Sequence, residues 1–326
     1  MFRVLTISLI IYIFNVKVIL SNENVILGTD WRAQAEHGGF YQAKALGFYK
    51  DVGLNVSIKQ GGPQINHSQL LIAQKIDFGM APNSFIPLNF IAQNIPVKAV
   101  AAFFQKDPAV LIAHSEKGYE KIQDLRSAKI MISPDTRIGF WRFLRTKYNF
   151  KDSQIAPYTF NLAPFLSNKN AVQQGYLTSE PYLISKSGIK PQVFLLADAG
   201  YSSYAGIIQA RTQLIEESPD IVQKFINASI LGWYSFLYEN PSPAFELIKS
   251  SNPDMSDELL INAHKMIKLY GLVDSGDAKL FGIGTMSLRK WKEFYTVIDK
   301  DNLYVKKIDF NKAFTDQFIG KGFGLK

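Results

Sequence analysis

The sequence predicts an α/β fold of two lobes, the second inserted into the first, with two hinge crossings and a helical C-terminal tail. Three observations point to it. From Asn24 onward, short apolar runs of strand length alternate with stretches of helical period. That alternation restarts near Ala109 and closes near Ala199, with no low-complexity linker on either side. The 326 residues also suit two domains at roughly 100–200 residues each. The expected division is a signal peptide over 1–21, a discontinuous first lobe over 22–108 and 200–326, and an inserted second lobe over 109–199. An insertion requires the chain to cross between lobes twice, and a double crossing can bend as a hinge.

The elements follow in order. Arg3 and the apolar run Val4–Phe14 have the charge and length of a signal-peptide core, too short to span a bilayer and interrupted by Lys17. Val25–Leu27 reads as a strand leading to Trp31. His37–Lys50 places Phe40, Ala43, Leu46 and Gly47 on one helix face, and Gly53 stops it. Val56 and Ile58 alternate in a strand that Gly61-Gly62-Pro63 ends. A short helix around Leu70 and Ala73 precedes a strand at Phe78 and Met80. Val97–Phe104 is apolar throughout, as in a strand buried on both faces of a mostly parallel sheet. In the second unit Val110–Ala113, Lys129–Ser133, Ile155–Tyr158 and Val193–Ala197 read as strands and Arg137–Tyr148 as a helix. Ser218-Pro219-Asp220 opens a long helix striped by Val222, Phe225, Ile226, Trp233, Phe236 and Leu237, which Asn240-Pro241 ends. Ser256–Tyr270 and Ser287–Ile298 read as further helices.

Composition excludes several chemistries. The chain has no cysteine, which removes disulfides, thiolate metal sites and thiol catalysis. It has no phosphate loop, no nucleophile elbow and no zinc-protease helix. His37, His67, His114 and His264 lack metal-ligand spacing. The net charge is +8, but the basic residues are dispersed, so nucleic acid is not expected as a partner. No cofactor is expected, and the protein is expected to be a monomer.

In an open α/β sheet, ligands bind beyond the carboxyl ends of the strands. Polar and aromatic residues gather at the predicted strand ends: Trp31, His37 and Tyr41 after the first, Gln60 after the second, Asn83 and Ser84 after the third. In the second unit Phe140, Tyr158, Asn161, Glu180, Tyr182 and Asp198 occupy equivalent places, and Tyr201 and Tyr204 follow its last strand. These residues form the candidate site. Each also has a structural reading: Trp31 as core, His37 as a hydrogen-bonded core histidine, Glu180 as a carboxylate favoured in the first turn of a helix, and Tyr201 and Tyr204 as hinge packing. Gly38-Gly39 reads as a helix start before an anion site, and one of Phe140 and Trp141 must face the core.

The stretch Trp31–Val56 (WRAQAEHGGFYQAKALGFYKDVGLNV) resembles the first strand–helix–strand of the thiamine-pyrimidine family, which includes periplasmic binding proteins of ABC importers and a related thiamine-pyrimidine synthase. Ile76–Met80 resembles that family's next strand. Asp152–Tyr158, Gln173–Tyr182 and Ala197–Gly206 resemble a bacterial binding-protein branch. The resemblance implies a two-lobed periplasmic-binding-protein fold (type II) that closes on its ligand. It also implies ring stacking by Trp31 and the cleft tyrosines, and Glu180 as a partner for ring N–H groups. The implied function is capture of a planar heterocycle, such as a thiamine pyrimidine precursor or a flavin, outside the cytoplasmic membrane, with an ABC permease as membrane partner. The synthase branch implies a lysine just after the Asp-x-Gly strand, a histidine four residues on and a cysteine motif. Here Ala81 and Phe85 stand at those positions and cysteine is absent. Without that lysine no pyridoxal-phosphate Schiff base forms there.

Overall fold

The computed structural model describes residues 22–63, 65–300, 304 and 307–326. The expected signal peptide, 1–21, lies outside them. No helix among the described residues is long and apolar enough to cross a membrane.

Two five-stranded sheets organise the chain. The first comprises β1 (Glu23–Gly28), β2 (Leu54–Lys59), β3 (Phe78–Ala81), β4 (Val97–Phe104) and β10 (Ala205–Arg211), in the order β2-β1-β3-β10-β4. The second comprises β5 (Ala109–His114), β6 (Ile130–Ile132), β7 (Ile155–Pro157), β8 (Val172–Tyr176) and β9 (Pro191–Leu195), in the order β7-β6-β8-β5-β9. The chain passes from one sheet to the other after β4 and returns after β9.

Four of the five strands in each sheet run parallel, as expected, and one runs against them. β10 runs antiparallel to β3 and β4, and β5 runs antiparallel to β8 and β9. These are the two strands with which the chain enters a sheet from its neighbour. Each enters at the end where the neighbouring strands finish, so each must run against them. β4 is buried at every position but Lys98, as its apolar run requires.

The helix expected over His37–Lys50 is broken. Gly38–Ala45 is helical, Gly47 takes a left-handed φ of 83°, and Phe48–Asp51 forms a separate turn. Arg137–Tyr148 is likewise divided into Pro134–Ile138 and Phe140–Tyr148 at Gly139. Helix Pro219–Tyr238 starts with Pro219 in its first turn, although the Ser218 side chain makes no cap bond. Its predicted stripe is fully buried. Helices Asp257–Leu269 and Leu288–Asp299 are capped by Ser256 and Ser287, whose hydroxyls accept from the Leu259 and Lys290 backbone N–H groups.

Helices Gly38–Ala45 and Pro219–Tyr238 pack closely because three glycines lie between them. A Cβ on Gly39 would stand 2.1 Å from the Trp233 ring, and one on Gly232 would stand 2.1 Å from the Gly39 carbonyl oxygen. Gly38-Gly39 is thus a helix start, as the sequence reading preferred, and also a helix-packing element, which that reading did not foresee. Phe40 points from this seam to Phe103 and Trp233, with ring centroids 5.0 and 5.8 Å away. The tail returns to the first sheet, where Ala99 bridges to Phe314.

Candidate functional site

A cleft of about 310 Å³ lies between the two sheets, lined from both. The first sheet and its loops supply Asp30, Trp31, Glu36, His37, Met80 and Asn83. The second supplies Ser133, Thr136, Phe140, Phe160, Gln174, Tyr176 and Glu180. The crossings supply Asp107 and Tyr201. Most of these residues follow the carboxyl end of a strand, the position expected of a ligand site in such sheets.

Aromatic rings form its mouth. Trp31, just after β1, meets Phe160, just after β7, with centroids 4.9 Å apart and planes inclined by 48°. The contact therefore joins the two halves of the chain. Phe160 has a φ of 60° and its side chain is 43% exposed. A bulky residue in the left-handed region is uncommon and is held there only by its surroundings. Tyr158 backs Phe160 at 5.2 Å.

The floor is acidic. Glu36 is 5% exposed and accepts a hydrogen bond from the Thr178 hydroxyl of the opposite half. Burial raises its pKa, and the Thr178 bond opposes that only in part. Asp107, in the first crossing, is 3% exposed and accepts from the Ala109 backbone N–H at 2.9 Å. Burial pushes its carboxyl up to about 7. The Tyr176 phenol lies among these groups: burial raises its pKa most, followed by the Asp107, Asp30 and Glu36 carboxylates. Asp30 Oδ1 stands 3.0 Å from His37 Nε2. A carboxylate only accepts, so His37 donates to it through Nε2, and the other ring nitrogen is Nδ1. That Nδ1 has no partner among the described residues.

Trp31, His37, Asn83, Phe140, Glu180 and Tyr201 of the expected set line the cleft. The others do not, and most are held elsewhere. Tyr41 is buried in the helix seam, its hydroxyl near Ser251. Gln60 braces the loop after β2, accepting from Ala33 N–H and donating to the Ser251 carbonyl. Ser84 and Ser203 tie the returning crossing to the first sheet: Ser84 Oγ accepts from Tyr204 N–H and Ser203 Oγ from Ser84 N–H. The Tyr204 hydroxyl accepts from the Ser287 backbone N–H, and burial raises its pKa to about 12. Tyr158 stands behind the wall, its hydroxyl 3.5 Å from Glu180 Oε1. Asn161 is exposed and caps its own turn, and Asp198 is exposed. Tyr182 donates to Glu258, outside the cleft.

Glu180 occupies the first turn of its helix and also faces the cleft, accepting from the Tyr176 N–H at 2.8 Å. Phe140 faces the cleft while Trp141 turns to the core and donates to Asp152. Sequence reasoning missed Asp30, Glu36, Asp107, Phe160 and Tyr176. Phe160 carried a usable signal, lying just past a strand end. Glu36 and Asp30 carried none, since a carboxylate beside a helix start is ordinarily solvated.

The chain is 23% identical over 308 residues to riboflavin-binding protein RibY of Chloroflexus aurantiacus, covering 92% of this chain and 87% of that one. It superposes on the periplasmic aliphatic sulphonate binding protein SsuA of Escherichia coli with a TM-score of 0.68 at 14% identity, covering 90% and 92% of the two chains. It also superposes on the desulfurization enzyme DSZB with a TM-score of 0.60 at 11% identity, covering 91% and 97%. The fold is that of the periplasmic binding proteins. Residues 34–244 match the NMT1/THI5-like family model, and the chain belongs to that family.

Proposed function

We propose that this chain is the extracytoplasmic solute-binding component of an ABC-type importer and captures a small planar nitrogen heterocycle by closure of its two lobes. The observation that carries this reading is the cleft itself, lined from both halves of the chain by rings and by hydrogen-bonding carboxylates. Flat rings stack on Trp31, Phe160 and Tyr201, each such contact being worth about 0.5–1.5 kcal/mol beyond its buried area. A ligand touching both halves favours the closed arrangement over any open one by its differential contacts. RibY, named as a riboflavin-binding protein, supports a ring ligand. A flavin and a thiamine pyrimidine precursor are the two candidates. The closed form then docks on a membrane permease, with the protein acting as a monomer outside the cytoplasmic membrane after export on residues 1–21.

An enzymatic reading has one neighbour in its favour, the desulfurization enzyme. The residues argue against it. Ala81 and Phe85 cannot supply the amine and imidazole that pyrimidine synthesis of this type uses, and no cysteine is present. A thermal-shift panel of riboflavin, aminopyrimidines, nitrate and alkanesulfonates tests the binding reading. At a hundredfold excess over Kd a true ligand stabilises by about 2.7 kcal/mol. The expected result is a rise in Tm with a heterocycle. No shift with any compound at millimolar concentration, or turnover of the compound, contradicts the proposal.

A further inference from the structure

The chain as a whole is basic, with a net charge of +8. Its cleft is the reverse. Asp30, Glu36, Asp107, Asp135 and Glu180 line it, and no lysine or arginine does among the described residues. Asp135 stands at the exposed rim, and Glu180 is engaged by Tyr176 N–H and the Ser179 hydroxyl. Glu36 and Asp107 are different: both are nearly fully buried on the floor. A carboxylate can accept about four hydrogen bonds. Among the described residues Glu36 receives bonds from the Thr178 hydroxyl and its own backbone N–H, and Asp107 receives bonds from Ala109 N–H and Ser203. Both therefore retain acceptor capacity.

Lys290 is the one cation acting on Asp107 from behind. Its ammonium is turned away, donating to the Gln105 carbonyl and lying 4.3 Å from the centre of the Tyr204 ring. Burying uncompensated carboxylates is costly unless a partner arrives. The raised pKa values of Glu36 and Asp107 express that cost. A second observation points the same way. His37 is 1% exposed, lines the cleft, and presents a ring nitrogen, Nδ1, with no partner among the described residues. The floor thus offers acceptors and asks for donors, while the mouth offers rings.

We propose that the cleft takes a planar ligand that carries a positive charge, with its cationic N–H group against Glu36 and Asp107 and a ring N–H on His37 Nδ1. This deepens the solute-binding reading and rests on it. The cation occupies the floor beside Tyr176, and its ring lies toward Trp31, Phe160 and Tyr201. The floor rejects anions by like-charge repulsion and gains no charge-assisted bond from a neutral ring. Because binding a cation favours ionised Asp107, affinity rises as pH rises through about 7. The charged groups acting on Asp107 are Asp30, which raises its pKa, and Lys290, which lowers it.

Isothermal titration of the full chain compares an aminomethyl-bearing aminopyrimidine, a cation at neutral pH, with its uncharged hydroxymethyl counterpart, riboflavin and benzenesulfonate. The expected result is that the aminomethyl compound binds at least about tenfold tighter than the hydroxymethyl one, as one charge-assisted hydrogen bond provides. Glu36→Gln and Asp107→Asn each lower that preference, read as the ratio of the two affinities in each protein. If the hydroxymethyl compound, riboflavin or the sulfonate binds wild-type protein as tightly as the cation, the charge assignment is overturned and the binding reading stands. If none of the four binds, the binding reading falls and takes this inference with it. The wild-type comparison needs no variant, so poor folding of either substitution leaves the test intact.

Discussion

Asp107 sits where the chain first crosses between sheets, its carboxyl buried and pushed up to about 7. The sign of its effect on stability follows from proton counting. Between the ordinary carboxylate range and about pH 7, the folded chain holds a proton that the unfolded chain has lost. Stability therefore falls as pH rises through that window. Asp107→Asn keeps an acceptor for Ala109 N–H and removes the titration. It should stabilise the ligand-free protein at about pH 8 by up to about 4 kcal/mol, at about 1.4 kcal/mol per pKa unit, seen as a higher Tm, and change the Tm little at about pH 4. An equal effect at both pH values would show that Asp107 is not held neutral by burial. The same residue illustrates what a sequence conceals. Trp31, His37, Phe140, Glu180 and Tyr201 were legible because aromatic and polar side chains after strand ends are chemically conspicuous. Asp107 and Glu36 look like any solvated acid until the fold closes over them.

At the scale of elements, strands were legible where the apolar pattern was continuous, as in β4 and β5. β8 (VQQGY) and β10 (AGIIQAR) were not, because glutamines and glycines interrupt their pattern. Both are inner strands: β10 lies between β3 and β4, and its omission hid the mixed character of the first sheet. Neighbours on both sides supply the pairing that local sequence does not advertise. The helix breaks at Gly47 and Gly139 escaped for a related reason, since the apolar period continues across each. The seam between helices Gly38–Ala45 and Pro219–Tyr238 makes a quantitative test. Gly39→Ala drives a methyl group into the Trp233 ring and should destabilise by about 1–3 kcal/mol, as overpacking does. Urea unfolding measures this, and a midpoint unchanged from wild type would contradict the packing described.

For the whole molecule, two crossings connect the halves of the chain, and three sets of contacts join the halves around the cleft, besides the packing of helix Phe140–Tyr148 on helix Leu288–Asp299. They are the Trp31–Phe160 ring pair, the Thr178–Glu36 hydrogen bond, and the bonds from Tyr182 and Lys186 to Glu258 at 3.1 and 2.7 Å. The first two lie in the cleft, where a ligand meets them. The two crossings between sheets were readable from the restart of alternating strands and helices; the contacts that join the halves were not, because each pairs residues more than 70 positions apart.

The chain's geometry also reports on its own occupancy. Of its four tryptophans, Trp141, Trp233 and Trp291 are at most 1% exposed in the core, and Trp31 lines the cleft. The most direct measurement is the tryptophan emission of wild type and Trp31→Phe, titrated with a heterocycle that raises the Tm. A ligand stacked in the cleft should change wild-type emission saturably and leave the emission of Trp31→Phe unchanged while still raising its Tm. An equal change in both proteins would place the ligand away from Trp31 and contradict capture between the two halves.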